Sequence, residues 1–93
     1  MTEPFNDLIT VLQERKASPR ADSYTAELLA AGEDEIIKKI GEEAIEVLLA
    51  AKGQGDERLI EETADLIYHI SVLLVARDLT WADVNQALVR RSG

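Results

Sequence analysis

Apolar residues recur at intervals of three or four along most of this chain, and that period is the feature that most restricts its fold. It is visible near the start, at Phe5, Leu8, Ile9 and Leu12. The spacing places apolar side chains on one side of a helix, whereas a half-buried strand requires strict alternation of apolar and polar residues. No segment of the sequence shows that alternation, so we predict an all-α protein.

Short turn-forming segments divide the periodic stretches into five predicted helices. Ser23 is the predicted N-cap of the second helix and Asp56 that of the fourth, which follows the turn-forming segment Lys52-Gly53-Gln54-Gly55. Thr80, with Asp83 three residues later, is predicted to open the last helix as a capping box. The predicted helices cover roughly residues 5–16, 25–31, 34–51, 56–77 and 80–90.

The chain of 93 residues is long enough for one domain, predicted to span residues 1–93. The third and fourth helices are joined by a short loop, which predicts antiparallel neighbours and a helical bundle built on that pair. One apolar stripe on each is predicted to form the core. The stripes are Ile36, Ile37, Ile40, Ala44, Val47, Leu48 and Ala51 on the third helix, and Leu59, Ile60, Thr63, Leu66, Ile67, Ile70, Leu73 and Leu74 on the fourth.

Both long helices also carry apolar residues away from those stripes. These are Ile45 and Leu49 on the third helix, and Ala64, Tyr68, Val72 and Val75 on the fourth. A helix that is apolar on two sides is buried on two sides, and a chain this short cannot cover both. We therefore predict that a homodimer, or a dimer of dimers, forms through these outward-facing residues with two-fold symmetry and completes the bundle.

The net charge of −8 restricts the partners of this chain. A field of that sign repels nucleic acids and anionic membrane surfaces, so neither is a predicted partner, and a phosphate ligand would need a cation to mediate. The sequence has no cysteine, no apolar run of about 18 residues and no signal peptide at its start. We expect a cytoplasmic protein.

Four acidic residues stand at helical spacing beside the surfaces through which the long helices are predicted to pack. Glu43 and Glu46 lie on the third helix, and Glu62 and Asp65 lie on the fourth. His69 follows four residues after Asp65, on the same side of the fourth helix. Antiparallel packing would let the two pairs face each other across one groove. Acidic pairs at this spacing also occur as ordinary surface residues. Their position beside the core, where uncompensated charge is costly, makes a metal site the second interpretation, and the pattern alone leaves both open.

Carboxylate ligands without cysteine favour a hard cation, Mg²⁺ or Mn²⁺, over zinc or copper. Mg²⁺ keeps several waters and takes phosphate oxygens from a substrate, so such a site would leave positions open for a pyrophosphate chain. Di-iron chemistry is disfavoured because bundles of that kind use Glu-x-x-His pairs. His69 stands four residues after Asp65 and seven after Glu62.

Two segments carry a resemblance to a known family: Lys38-Lys39-Ile40-Gly41-Glu42-Glu43-Ala44-Ile45-Glu46 and Glu61-Glu62-Thr63-Ala64-Asp65-Leu66-Ile67-Tyr68-His69. The sequence resembles the phosphoribosyl-ATP pyrophosphohydrolases of histidine biosynthesis. More distantly it is similar to the all-α nucleotide pyrophosphohydrolases of the MazG type, with their EExxE and ExxD motifs. The resemblance implies Mg²⁺-dependent hydrolysis of 1-(5-phosphoribosyl)-ATP to 1-(5-phosphoribosyl)-AMP and pyrophosphate. Glu43, Glu46, Glu62 and Asp65 match the metal-binding carboxylates of the family.

Other residues beside these ligands are candidates for catalysis and substrate binding. Glu42 or Glu46 would deprotonate the attacking water, and the sequence does not choose between them. Lys39 is a candidate for holding a phosphate, with a solvated role as the alternative. His69 would contact substrate or hydrogen-bond a ligand residue. Two other functions stay open: a pyrophosphatase that removes aberrant dNTPs, and a helical interaction module without enzymatic activity.

Overall fold

The computed structural model describes residues 4–20 and 23–92, and no strand occurs in either range. The all-α prediction is confirmed. The helices are α1 (Pro4–Ala17), α2 (Tyr24–Ala31), α3 (Glu33–Gly53), α4 (Asp56–Ala76) and α5 (Trp81–Ser92). Among the described residues, no helix is both long and apolar enough to cross a membrane.

Capping residues were predicted at the starts of three helices, and hydrogen bonds confirm two of these three predictions. The Ser23 side chain accepts from the backbone N–H of Ala26 at 3.2 Å, and the backbone N–H of Thr80 donates to Asp83 Oδ2 at 2.9 Å. The prediction that Asp56 caps α4 is wrong, because Gly55 occupies that position with φ +89°. This left-handed conformation favours glycine, and Asp56 instead forms the first turn, where its charge complements the helix dipole.

The packing of α3 against α4 is the largest contact between helices and forms the centre of the structure. Only Gln54 and Gly55 separate the two helices, so they run antiparallel, as predicted. The first helix contacts α4 and α2, the second also contacts α3 and α4, and α5 contacts α1. The buried core lies where α1 to α4 meet and consists of Ile9, Leu12, Leu28, Ile36, Val72 and Val75.

The predicted assignment of apolar faces on α4 is wrong for three residues, although Leu73 packs against the core as predicted. Val72 and Val75, predicted to face away from the core, are 0% and 1% exposed, and Tyr68 also packs against the core. These residues are therefore unavailable for the dimer interface predicted to include them. The helix is apolar on two sides, and its periodicity does not say which side α1 and α2 cover. They cover the Val72 side, where Ile9, Leu12 and Leu28 join the core.

The stripes predicted to form the core are instead partly open. Leu48 on α3 and Ile60 on α4 are 64% and 69% exposed, and Ile37 is also exposed. Along α4, Ile67 and Leu74 continue from Ile60 at intervals of seven residues and are only half-buried. We call this surface the open face and define it by Ile37, Leu48, Ile60, Ile67 and Leu74. Ile45 and Leu49 of α3 are exposed, in agreement with their predicted outward position.

Candidate metal centre

Three carboxylates from the two long helices converge at one place. Glu43 of α3 and Glu62 and Asp65 of α4 each offer an oxygen, and these oxygens all lie within 4.8 Å of one another. Glu62 is buried, at 6% exposure, Glu43 is half-buried and Asp65 is exposed. The cluster is therefore closed at Glu62 and open to solvent at Asp65, which would let a ligand enter from one side.

Local sequence explains why these side chains meet. Glu43 lies seven residues after Ile36 and seven before Ala50, both almost fully buried, so it belongs to the inner side of α3 rather than to its edge. Glu62 and Asp65 are one turn apart on α4 and share a side of that helix. Antiparallel packing of α3 on α4 then brings the two helices' carboxylates together.

The other two acidic candidates occupy more exposed positions. Glu46 is exposed and does not join the three carboxylates, and its charge acts on the guanidinium of Arg58. Glu42 is also exposed and forms an ion pair with Lys39 at 3.6 Å. The assignments of Glu46 as a ligand, of Glu42 or Glu46 as the base, and of Lys39 to a phosphate stay predictions.

Arg58 provides a positive charge beside the cluster. Its Nη1 donates to Glu61 Oε1 at 2.7 Å, and its Nη2 donates to Glu62 Oε1. The hydrogen bond to Glu61 and the negative charge of Glu62 raise the pKa of Arg58. This residue was not among the candidates predicted from the sequence, although its spacing of three and four from two glutamates is the signal of ion pairs on one helix.

Both ring nitrogens of His69 have partners within the protein. Nδ1 lies 2.8 Å from the backbone oxygen of Asp65, and Nε2 lies 3.1 Å from the Tyr24 hydroxyl. A carbonyl oxygen only accepts, so Nδ1 carries the hydrogen, and in the neutral ring Nε2 accepts from Tyr24. This buried histidine therefore links the first residue of α2 to the turn that carries Asp65. A role in direct substrate contact stays a prediction.

Tyr24 contacts His69 and Tyr68 next to the site, an arrangement that its sequence position alone did not reveal. The residue is 45% exposed, and its ring stacks on Tyr68 with ring centroids 6.5 Å apart and contacts His69 edge-on. Partial burial raises the pKa of the Tyr24 hydroxyl, while the positive charge of Lys39 opposes that shift. The hydroxyl therefore stays protonated at neutral pH and serves as a hydrogen-bond donor.

The chemistry of the donor set fits a hard divalent cation. The three converging groups are carboxylates, and the sequence contains no cysteine. His69, the single histidine of the chain, already uses both nitrogens in hydrogen bonds. An all-oxygen site on a helix pair suits Mg²⁺ or Mn²⁺ and is a poor match for zinc or copper.

Comparisons with known proteins agree with the resemblance seen in the two motifs. The family described as phosphoribosyl-ATP pyrophosphohydrolase matches residues 5–92. Phosphoribosyl-ATP pyrophosphatase of Lactiplantibacillus plantarum is 47% identical over 89 residues, covering 96% of this chain and 84% of the relative. The Bacillus cereus (strain AH187) protein of that name is 40% identical over 93 residues, covering 100% and 87%. Histidine biosynthesis bifunctional protein HisIE of Gloeobacter violaceus is 51% identical over 89 residues, covering 96% and 40%. The chain belongs to the phosphoribosyl-ATP pyrophosphohydrolase family.

Proposed function

We propose that this protein hydrolyses 1-(5-phosphoribosyl)-ATP to 1-(5-phosphoribosyl)-AMP and pyrophosphate, the second step of L-histidine biosynthesis. The observation that carries the proposal is the convergence of Glu43, Glu62 and Asp65 at the junction of α3 and α4. Relatives named phosphoribosyl-ATP pyrophosphatase share 40% and 47% identity over nearly the whole chain and support this substrate. The absence of cysteine is in keeping with a place in the reducing cytoplasm.

Glu43, Glu62 and Asp65 would hold Mg²⁺, with Mn²⁺ as a substitute, and Glu46 is the proposed fourth ligand. Glu46 lies one turn after Glu43 on the same helix. A bound cation would supply positive charge for the phosphate oxygens, which a protein of net charge −8 would otherwise repel. Stabilising the negative charge that develops on those oxygens lowers the barrier to hydrolysis.

Side chains of the protein would remove the proton from the attacking water and bind a substrate phosphate. Water attacks at the α–β phosphoanhydride, a new oxygen–phosphorus bond forms, and the bridging bond to pyrophosphate breaks. Glu42 or Glu46 takes the proton from that water, since both carboxylates are exposed and lie within one turn of Glu43 along α3. Lys39, half-exposed and paired with Glu42, is the proposed contact to a substrate phosphate.

The substrate is tested by incubating the purified protein with phosphoribosyl-ATP and, separately, with each dNTP in the presence of Mg²⁺. Released pyrophosphate is then measured. We expect turnover of phosphoribosyl-ATP to exceed that of every dNTP by at least about a hundredfold in kcat/KM, because a site built for this substrate can also bind its phosphoribosyl group, which a dNTP lacks. Preferential hydrolysis of a dNTP would make this a dNTP pyrophosphatase. Turnover of none would favour a helical interaction module.

We also propose that two copies of the chain pair through the open face. Leu48 and Ile60 are large apolar side chains with most of their surface in contact with water, and they lie on the side of the α3–α4 pair away from α1 and α2. Exposed apolar surfaces of this size mark sites where another protein binds. Two identical open faces related by a two-fold axis would bring α3 and α4 together with their copies in a four-helix arrangement. The proposed partner is a second copy, with a dimer of dimers as the larger form.

A further inference from the structure

The carboxylate cluster already contains a positive charge that belongs to the protein. The Arg58 guanidinium uses one nitrogen for Glu61 and another for Glu62, the most buried of the three converging carboxylates. Arg58 itself is half-exposed, with 49% of its side-chain surface open. Glu46, on the neighbouring helix, also acts on it electrostatically. Arg58 is therefore placed where the acidic charge of both helices is concentrated.

The position of Glu62 explains why a charge is needed there. A buried carboxylate without a partner is costly, and Glu62 has two further carboxylates within 4.8 Å. In the absence of a divalent cation, these three groups repel one another. The guanidinium of Arg58 offsets that repulsion at the member of the cluster that water can reach least.

The positive charge of the same guanidinium must weaken the binding of a divalent cation. A cation bound by Glu43, Glu62 and Asp65 would share Glu62 with Arg58, and two positive charges on one carboxylate repel each other. Arg58 is also held in place, because Glu61 and Glu62 engage two different nitrogens of its rigid fork. It cannot leave the cluster without losing both ion pairs.

We propose that Arg58 acts as an internal counter-cation of the cluster, stabilising the metal-free protein and lowering its affinity for divalent cations. This inference rests on the proposed metal site of this protein. Arg58 would keep the cluster folded between turnovers and would set the Mg²⁺ concentration at which the site fills. It is a positioning residue for Glu62 and does not itself touch the substrate.

The test is a Mn²⁺ titration of Arg58→Met, followed by the electron paramagnetic resonance signal of free Mn²⁺. Methionine keeps the apolar reach of the side chain and removes the charge. We expect the Kd for Mn²⁺ to fall about tenfold relative to wild type, because one nearby like charge is lost. Arg58→Lys retains the charge and is expected to stay within about threefold of wild type.

Arg77→Met is the matched control. Arg77 also pairs with a glutamate, Glu33, but at the opposite end of the α3–α4 pair. This variant loses the same net charge and an ion pair that joins the residue after α4 to the start of α3. Its Kd for Mn²⁺ should change by less than about twofold, because water and salt screen a distant charge. A tenfold decrease in this control would show a general charge effect and overturn the proposal.

Thermal melting gives a second readout that separates the possible outcomes. In EDTA, Arg58→Met should melt below wild type, and saturating Mn²⁺ should narrow the difference. If Arg58→Met binds Mn²⁺ as wild type does, or more weakly, Arg58 is not a competing cation and the proposal is overturned. If wild type itself binds no Mn²⁺, the proposed metal site fails, which is a different result. Should Arg58→Met not fold, Arg58→Gln carries the same comparison.

Discussion

Glu43→Gln is expected to lower pyrophosphate release from phosphoribosyl-ATP by about a thousandfold or more, with the fold intact. Glu43 is the one member of the converging cluster that α3 supplies, so its loss removes the α3 carboxylate that lies within reach of the two on α4. Removing a ligand lowers cation affinity and also weakens the electrostatic stabilisation of the reacting phosphate, on which catalysis of this kind chiefly depends. The measurement is initial-rate pyrophosphate release at saturating Mg²⁺.

The same variant separates a metal ligand from a structural residue. Glutamine is nearly isosteric and removes one charge from a group of mutually repelling carboxylates, so Glu43→Gln should melt above wild type in EDTA. Wild type should gain stability from Mg²⁺ by mass action, about 2.7 kcal/mol at a hundredfold excess over the dissociation constant. The variant should gain little. Glu62→Gln is a less clean test, because it also breaks the ion pair with Arg58.

Glu14→Gln is the control for these measurements. Glu14 is exposed on α1, a helix that supplies none of the three clustered carboxylates. Its activity, its melting temperature and its response to Mg²⁺ should match those of wild type. A Glu43→Gln protein that melts lower than wild type in EDTA, and still gains as much from Mg²⁺, would show that the carboxylates are structural.

Ile60→Glu is expected to convert the dimer into a folded monomer. Ile60 is 69% exposed within one chain, so the monomer tolerates a charge there, whereas the proposed interface would have to bury that charge against its own copy. Leu48→Glu on α3 should act in the same way. Light scattering at micromolar concentration should give half the wild-type mass for both variants, with helical content unchanged by circular dichroism.

Val89→Glu provides the comparison for the interface variants. Val89 is similarly exposed but lies on α5, outside the open face, so the charge should leave the dimer intact. A wild-type protein that is already monomeric at micromolar concentration would contradict the proposed pairing. Val75→Glu is unsuited to this test, because Val75 is part of the core and a charge there would unfold the chain.

The helices could be predicted closely because their signals are local. Ser23, and Thr80 with Asp83, form the predicted hydrogen bonds at the starts of α2 and α5. The predicted cap of α4 is displaced by one residue because Gly55 and Asp56 are both suited to a helix start, and the left-handed conformation selects glycine. None of these three helix starts depends on which other helices pack nearby.

The choice of core face could not be predicted in the same way. On α4 the Ile60 side and the Val72 side are both apolar, and the periodicity is satisfied by burying either. The side that α1 and α2 cover is set by contacts between residues distant in sequence, such as those that bring Ile9, Leu12 and Leu28 into one core with Val72. The open face therefore carries apolar residues at the same helical spacing as a buried core. Periodicity alone predicts that this face is buried within the chain.

Spacing predicted four carboxylate ligands, of which Glu43, Glu62 and Asp65 converge, but it did not predict their surroundings. Helical periodicity alone placed Glu62 and Asp65 together, and the short turn before α4 brought Glu43 opposite them. The ion pairs of Arg58 could have been predicted from its spacing to Glu61 and Glu62, whereas the contact of Tyr24 with His69 joins two helices that are distant in sequence. Such contacts between elements distant in sequence leave no periodic signal in one chain.

On the proposed mechanism, a divalent cation held by the α3–α4 carboxylates enables this chain to release pyrophosphate from phosphoribosyl-ATP. The most direct test is one Mg²⁺ titration of the wild-type protein in which initial rate and melting temperature are both recorded. Turnover should be absent in EDTA, and the rate and the gain in melting temperature should rise together with the same midpoint. Turnover that continues unchanged in EDTA would contradict the mechanism.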